Sequence, residues 1–82
     1  MAVDYRRLRN LSARRLINAL LRDGFVIDRQ TGSHQHFLHP DGRRVTVSFH
    51  RAGQTFAPKT LRAMIELQAR WDEHDLQRLK LL

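Results

Sequence analysis

Two turn sequences constrain the fold of this chain most, because they leave only short segments on either side. Residues 30–33 contain Gly32, and Pro40-Asp41-Gly42 combines a proline that presets φ with an Asp-Gly pair typical of tight hairpins. In the segment that follows, Val45, Val47 and Phe49 alternate with polar residues. Short strands joined by short turns form antiparallel meanders. The sequence therefore predicts three antiparallel strands, over residues 25–29, 34–39 and 44–49.

A helix is predicted on each side of these strands. Ser12 is suited to cap a helix and Gly24 to follow its end, which places the first helix at 13–22. Pro58 is suited to the first position of the second helix, and apolar residues follow it at helical spacing. Asp72 either caps a separate last helix, or one helix runs through to the end. Because both main helices are apolar on one side, we expect an α+β fold of order α-β-β-β-α. Its three-stranded antiparallel sheet carries the helices on one face and leaves the other free.

The length and charge of the chain indicate one basic domain. With 82 residues, we expect a single domain over 12–82, preceded by a basic extension over 1–11 that is either a short helix or a mobile arm. Lys and Arg number 15 against 8 Asp and Glu, and 13 of the cations are arginine, whose planar fork suits phosphate. A net charge of +7 favours a nucleic-acid partner, although ribosomal proteins, DNA-binding proteins and membrane-surface proteins share this property.

The composition also bears on location. The chain has no cysteine, which favours a reducing compartment for a domain of this size. The first ten residues lack the apolar stretch of a secretion signal, and no apolar run is long enough to span a bilayer. We therefore expect a cytoplasmic protein with no membrane partner.

Four of the five histidines lie between residues 34 and 50, which suggests proton transfer or metal binding. His34 and His36 should share one side of a strand, whereas His39 has the opposite parity. Without a cysteine or a nearby carboxylate pair, this set does not suit zinc, so we expect no metal site. We interpret His36 and His39 as surface strand residues.

His34 differs because it follows Gly32-Ser33, where backbone can approach a ligand closely and turn amides can face a phosphate. RNA is cleaved without metal when its own 2′-hydroxyl is deprotonated and attacks the adjacent phosphorus. That reaction needs a base, an acid and cations. A histidine among arginines can supply all three, which makes His34 the candidate catalytic residue.

Several short motifs, in this order and spacing, resemble the HicA family of bacterial and archaeal toxins. The resemblance spans about residues 12–69. Its motifs are Asp23-Gly24-Phe25, Gly32-Ser33-His34 with Phe37, His39-Pro40-Asp41-Gly42-Arg43, Val45-Thr46-Val47 with His50, and Pro58 with Thr60-Leu61-Arg62.

The resemblance implies a double-stranded-RNA-binding-domain-like fold and the toxin role of a type II toxin–antitoxin system. It also implies endoribonuclease activity on mRNA, no metal or other cofactor, and neutralisation by a HicB antitoxin. The catalytic histidine of the family falls on His34. We expect RNA contacts around it, and His50 is a candidate second proton carrier. The expected RNA-binding residues are Ser33, Arg29, Arg43, Arg44 and Lys59. The alternatives are a non-catalytic RNA-binding module of the same fold and a protein that only docks a partner.

The chain departs from the family pattern at three places. Ser48 stands where the family usually has proline, and Lys59 stands where it has glycine. The Ala-Gly-Leu turn of the family appears as Ala69-Arg70-Trp71, without the glycine that would end the helix. The geometry of the C-terminal tail therefore does not follow from the resemblance.

Overall fold

The computed structural model describes residues 3–82, so that Met1 and Ala2 of the predicted extension lie outside the described residues. The described chain confirms the predicted α+β fold and its order of elements. A 3₁₀ turn at Tyr5–Leu8 precedes α1 (Ala13–Arg22), β1 (Val26–Thr31), β2 (His34–Leu38), β3 (Arg44–Ser48), α2 (Pro58–Arg62), a π-helical continuation of α2 at Ala63–Gln68, and α3 (Glu73–Arg78).

Helix α1 begins and ends where the local chemistry predicted. The Ser12 hydroxyl accepts a hydrogen bond from the backbone N–H of Arg15 at 3.2 Å, which satisfies one of the unpaired amides of the first turn. After Arg22 the chain turns at Gly24, whose φ of +104° lies outside the range that side-chain-bearing residues adopt readily. The turn sends the next residue, Phe25, into the core, where it is 1% exposed.

The three strands form an antiparallel sheet in the order β1-β2-β3. β1 extends to Thr31, so that the turn predicted over residues 30–33 is confined to Gly32 and Ser33. A bulge between Ile27 and Arg29 shifts the register of β1 against β2. The alternation of β3 is confirmed, because Val45 and Val47 are buried and the residues between them are not.

The helices cover one face of the sheet. Phe37 of β2 and Val45 and Val47 of β3 belong to a core that also contains Leu16 of α1 and Leu61 of α2. The opposite face carries mainly polar residues, among them His34 and His36 of β2 and Thr46 of β3, with the apolar pair Val26 and Leu38 at one end. We call this polar side the open face. Removing the apolar face from water is the main stabilising term of such a domain.

The outer edge of β3 is blocked by the second helical segment. The Gln68 side-chain oxygen accepts a hydrogen bond from the backbone N–H of Thr46, the central residue of β3, at 2.9 Å. β1 forms the other edge of the sheet, and all six of its residues are exposed. One edge of the sheet is therefore capped by the protein itself, while the other is open.

The C-terminal segment forms a separate helix. Arg70 takes the left-handed conformation, with φ of +57°, at the position where the family pattern has glycine. This conformation costs a residue with a side chain about 1–2 kcal/mol. Asp72 then caps α3 in a reciprocal capping box with Asp75. Of the two arrangements that the sequence left open, the structure has the separate last helix.

The N-terminal segment forms the short helix rather than the mobile arm. The Asp4 carboxylate accepts a hydrogen bond from the backbone N–H of Arg6 and caps the 3₁₀ turn. Leu8 and Leu11 are each 2% exposed and belong to the core. The arginines of this segment remain exposed, so that one side packs and the other is charged.

Candidate active site

His34 is the first residue of β2 and follows directly on the two-residue turn Gly32-Ser33. It lies between Thr31 of β1 and Ser48 of β3, which are its partners on the two neighbouring strands. The Ser33 carbonyl accepts a hydrogen bond from the backbone N–H of Phe49 at 3.0 Å. The turn is thus tied to the end of β3, which fixes the backbone from which His34 projects.

The His34 side chain lies exposed on the open face. Its imidazole stacks on that of His36, with 6.5 Å between ring centroids and 17° between planes. Among residues 3–82, no side-chain or backbone group forms a hydrogen bond with either nitrogen of His34. Both nitrogens therefore remain available for a proton transfer to or from a bound molecule.

His36 has a different environment from the one that the sequence suggested. It is half-buried, and its two ring nitrogens lie 3.1 Å from the hydroxyl of Thr31 and 3.0 Å from that of Thr46. His36 is the strand residue that the sequence predicted, but its ring is half-buried and links all three strands.

The candidate second proton carrier, His50, lies in the loop after β3. The side chain of His50 is exposed, while its backbone N–H donates to the Gln54 side chain at 3.0 Å. The same loop is anchored to the start of α1, because the Gln54 carbonyl accepts from the N–H of Ala13 at 2.8 Å. This anchoring holds the loop at the end of the sheet that carries His34, two residues beyond its partner Ser48.

Three of the four cationic residues predicted to bind RNA are exposed. Two of them lie on the sheet and one lies on a helix. Arg29 is the partner of His36 on β1, next to the His34 pair. Arg44 pairs with Leu38 at the far end of β2, and its guanidinium lies 3.9 Å from the Asp28 carboxylate. Lys59 lies in the first turn of α2. Only Arg29 lies on a strand beside the histidine pair.

Arg43 does not flank His34, and its guanidinium is occupied within the protein. It is 17% exposed, and it donates to the Asp41 carboxylate at 2.8 Å and to the Ala69 carbonyl at 2.6 Å. It also lies 3.3 Å from the Asp23 carboxylate and 4.9 Å above the centre of the Phe25 ring. The guanidinium that the sequence assigned to RNA contact therefore has a structural role, which its spacing from His34 in the sequence did not indicate.

The Asp23 carboxylate is the centre of this second arrangement, and we call it the Asp23 cluster. Besides Arg43, the carboxylate accepts hydrogen bonds from the Trp71 indole and the Arg78 guanidinium, each at 2.8 Å. Burial alone raises the pKa of this carboxyl, but the hydrogen bonds from Trp71 and Arg78 and the charge of Arg43 outweigh it and hold the pKa below its ordinary value. The cluster joins the end of α1 to the C-terminal helix.

His39 lies outside β2 and belongs to the Asp23 cluster, so its interpretation as a surface strand residue is wrong. Its Nε2 lies 2.8 Å from the Asp23 carbonyl, and its Nδ1 accepts from the backbone N–H of Asp41 at 3.1 Å. The ring meets Phe25 edge to face, with 5.0 Å between centroids. A Cβ at Gly24 would lie 2.9 Å from the His39 Nε2, so the glycine allows this approach as well as the turn.

The clustered histidines thus do not converge on one point. His36 and His39 each have protein partners at both ring nitrogens. Among residues 3–82, one group of three His, Asp or Glu side chains has ligand atoms within 4.8 Å of one another, namely Asp72, His74 and Asp75. Two of its members already bond each other in the cap of α3. Within the same residues, no helix has both the length and the apolar character needed to cross a membrane.

Comparison with known proteins identifies the class to which this fold and site belong. The family described as the HicA toxin of bacterial toxin–antitoxin systems matches residues 13–69. This match covers most of the chain and includes α1, the sheet and the second helical segment. No curated protein matches the chain significantly. The protein belongs to the HicA toxin family, and is therefore a toxin of a toxin–antitoxin system with an antitoxin partner.

Sequence reasoning missed the roles of several residues at the site. Thr31 and Thr46 hold His36, but they lie on different strands, so their meeting depends on the strand register. The one available signal was parity, since Thr46 alternates with Val45 and Val47 and therefore faces the open side.

Proposed function

We propose that this toxin is a metal-independent endoribonuclease that cleaves mRNA, with His34 as its general acid or base. The observation that carries the proposal is the exposed His34 ring, whose two nitrogens have no partner within residues 3–82, in a family of RNase toxins. His36 on the same strand and His39 just after its end have their nitrogens engaged by protein groups. His34 is thus the histidine of β2 best suited to exchange a proton with a substrate.

The proposed step uses the 2′-hydroxyl of the RNA as the nucleophile. His34 accepts its proton while the O2′–P bond forms, or donates a proton to the O5′ that leaves as the P–O5′ bond breaks. The products are a 2′,3′-cyclic phosphate and a 5′-hydroxyl end, and no oxidant or cofactor is consumed. His50, exposed beyond the partner strand of His34, is the candidate for the complementary proton transfer.

Cations stabilise the charge that develops on the phosphate in this reaction. Arg29 lies beside the histidine pair on β1, and Lys59 lies exposed in the first turn of α2. The Ser33 backbone lies in the turn that precedes His34. We assign these three residues to RNA binding and place Arg44, at the far end of the sheet, on the periphery of the surface.

The decisive test compares cleavage with binding and folding in His34→Ala. General acid–base catalysis contributes about 10²–10⁴-fold in rate, so the variant should lose cleavage by at least that range. Its affinity for RNA should persist, because phosphate attraction comes from many cations. Cleavage is followed on an mRNA transcript with excess chelator present throughout, and binding is followed at low salt.

The matched variant is His39→Ala, which should cleave RNA much better than His34→Ala when equal amounts of folded protein are compared. If His34→Ala folds and still cuts at nearly the parental rate, His34 is not the catalyst and the non-catalytic RNA-binding module takes its place. Loss of activity in chelator that zinc or manganese restores would instead overturn the metal-independent reaction.

The RNA contacts are tested by salt dependence. Each phosphate contact to single-stranded RNA contributes about 0.7 to the slope of log K against log salt concentration. Arg29→Gln and Lys59→Gln should each lower the slope by about that amount. Arg62→Gln is the matched control, because the Arg62 guanidinium already pairs with the Glu66 carboxylate at 3.2 Å. An equal loss of slope in all three variants would mean that only overall charge matters.

We further propose that the antitoxin is a HicB-type protein whose acidic surface covers the region around His34. The net charge of +7 and the exposed Arg29 and Arg44 support this proposal, since complementary charge accelerates association. The test mixes the toxin with the candidate antitoxin and measures RNA cleavage by the purified complex. Undiminished cleavage by a stable complex would contradict occlusion of His34.

A further inference from the structure

A chain of side-chain hydrogen bonds crosses the open face beside His34. The His36 Nε2 lies 3.1 Å from the Thr31 hydroxyl on β1, and its Nδ1 lies 3.0 Å from the Thr46 hydroxyl on β3. We call these three side chains the threonine–histidine bridge. Because β2 lies between β1 and β3, the bridge joins all three strands through one imidazole ring.

Both ends of the bridge are satisfied in either tautomer of the ring. A threonine hydroxyl both donates and accepts, so one threonine can accept from the ring N–H while the other donates to the bare nitrogen. The ring is therefore held from two sides and cannot turn without breaking a hydrogen bond. With both nitrogens occupied, His36 is not itself available to exchange a proton with RNA.

The bridge affects His34 in two ways. The His36 ring is stacked on that of His34 with 6.5 Å between centroids and 17° between planes, a spacing at which aromatic rings still attract, so a fixed His36 ring favours one orientation of His34. Thr31 is the cross-strand partner of His34, yet its hydroxyl bonds the diagonal neighbour His36 instead. The bridge thereby engages the β1 hydroxyl opposite His34 and leaves the His34 nitrogens free.

We propose that His36 is a positioning residue for His34, held in place by Thr31 and Thr46. This inference rests on the proposed catalytic role of His34. Proton transfer needs heavy atoms about 2.6–3.2 Å apart, and a displacement of about 1 Å can cost about 10²-fold in rate. A supported ring keeps the His34 nitrogens where a 2′-hydroxyl or a leaving oxygen can meet them.

The test uses substitutions that remove one hydrogen bond and preserve shape. Thr46→Val keeps the β-branched side chain of β3 but removes the hydroxyl, whereas Thr46→Ser keeps the hydroxyl. In single-turnover cleavage at saturating RNA, Thr46→Val should be about 10-fold slower than the parent, and Thr46→Ser within about 2-fold of it. The RNA concentration for half-saturation should stay unchanged, because neither change removes a charge.

A second pair of variants separates the stacked ring from its hydrogen bonds. His36→Phe keeps a flat ring beneath His34 but has no nitrogen to bond Thr31 or Thr46, and should slow cleavage about 10- to 100-fold. Adding Thr46→Val to His36→Phe should cause no further loss, because the threonine acts only through the histidine. Additive losses in the double variant would contradict this arrangement.

A measurement on the RNA-free protein tests the positioning role of His36 separately from cleavage activity. In the folded, RNA-free protein, Thr46→Val should change the NMR signals of the His34 ring, and Thr46→Ser should restore them. If only the His36 signals change and cleavage remains parental, the bridge merely stabilises the sheet and the inference is wrong. If His34→Ala itself retains cleavage, the catalytic assignment fails first, which distinguishes the two failures.

Discussion

Strand β2 has a histidine at its start and another just after its end, and the two regions of the molecule around them differ in almost every respect. At the start, the His34 ring is exposed and its nitrogens have no partner within residues 3–82. At the end, His39 lies in the Asp23 cluster with partners at both nitrogens and an aromatic neighbour. Two neighbouring family motifs thus serve stability at one end and, on our proposal, catalysis at the other.

The two regions also differ in the cost of leaving a polar group without a protein partner, which is low for the exposed groups near His34. Buried charges are costly unless they are paired and hydrogen-bonded, and the Asp23 carboxylate, 8% exposed, meets that condition with three partners. Exposed groups near His34 bear no such cost, because water solvates them until RNA replaces it. Substitutions in the Asp23 cluster should therefore lower stability, whereas substitutions around His34 should lower activity and leave stability nearly unchanged.

The largest expected effect on stability is at the Asp23 carboxylate. Asp23→Ala leaves the Arg43 guanidinium and the buried Trp71 indole without this partner, and each group left unsatisfied costs about 1–3 kcal/mol, so the losses here should sum to the largest effect. Asp28→Ala is the matched change on the open face, where the exposed pair with Arg44 is worth at most about 1 kcal/mol. Urea unfolding measures both. Equal losses would erase the distinction between the two regions.

The two histidines provide the next test. His39→Ala removes the bond to the Asp23 carbonyl and leaves that carbonyl without its partner, for an expected loss of about 1–3 kcal/mol. His34→Ala is a surface change and should shift the free energy of unfolding by less than about 0.5 kcal/mol. Thermal unfolding measures the stability of each variant, and cleavage per folded molecule measures its activity. The comparison breaks down if His34→Ala is the less stable of the two.

Replacing a glycine by alanine should also cost different amounts of stability in the two regions. Gly32 has a φ of +59°, and a Cβ added there would meet no atom within 4 Å, so its replacement by alanine should cost about 1–2 kcal/mol. Gly24→Ala adds a 2.9 Å contact with the His39 ring to a φ of +104°, and should cost at least about 1 kcal/mol more. Chemical denaturation of both variants measures the difference. A Gly24→Ala variant as stable as Gly32→Ala would mean that His39 shifts freely.

The smallest expected effect is on the loss of stability at low pH. The pKa of Asp23 is lowered in the folded protein, so the ionised carboxylate contributes stability above its unfolded pKa, and that contribution is lost as pH falls through the folded value. We expect the parent to lose more stability between neutral pH and pH values below about 4 than Asp23→Asn does. Urea midpoints across this range provide the measurement. Parallel curves for the two proteins would contradict a contribution from Asp23.

Much of the fold follows from local chemistry. The cap at Ser12, the turns at Gly24 and Gly32, and the alternation of β3 each depend on neighbours within a few residues, and the structure has all of them. The fate of the C-terminal segment did not follow, because Arg70 takes a conformation normally left to glycine. Only the packing of the tail on the rest of the chain can offset that local cost.

The sequence did not predict the Asp23 cluster, for a related reason. Its bonds join residues 16, 48 and 55 positions apart in the sequence, from His39, Trp71 and Arg78 to Asp23. No periodicity or turn signal encodes such pairings, so a histidine on a strand and an arginine beside a turn looked like ordinary surface residues. His34 was predicted as the candidate through its neighbours Gly32 and Ser33 and through the family resemblance, both of which are local in sequence.

The capped edge of the sheet has a consequence for assembly. Gln68 occupies the central amide of β3, so within residues 3–82 β1 is the edge that is better able to accept another strand. Two copies that paired through β1 would form a six-stranded sheet whose outer strands are both already capped. Growth by strand addition would stop at that pair, because each molecule offers one free edge and a filament needs two. A single glutamine thus limits how far such a chain can polymerise.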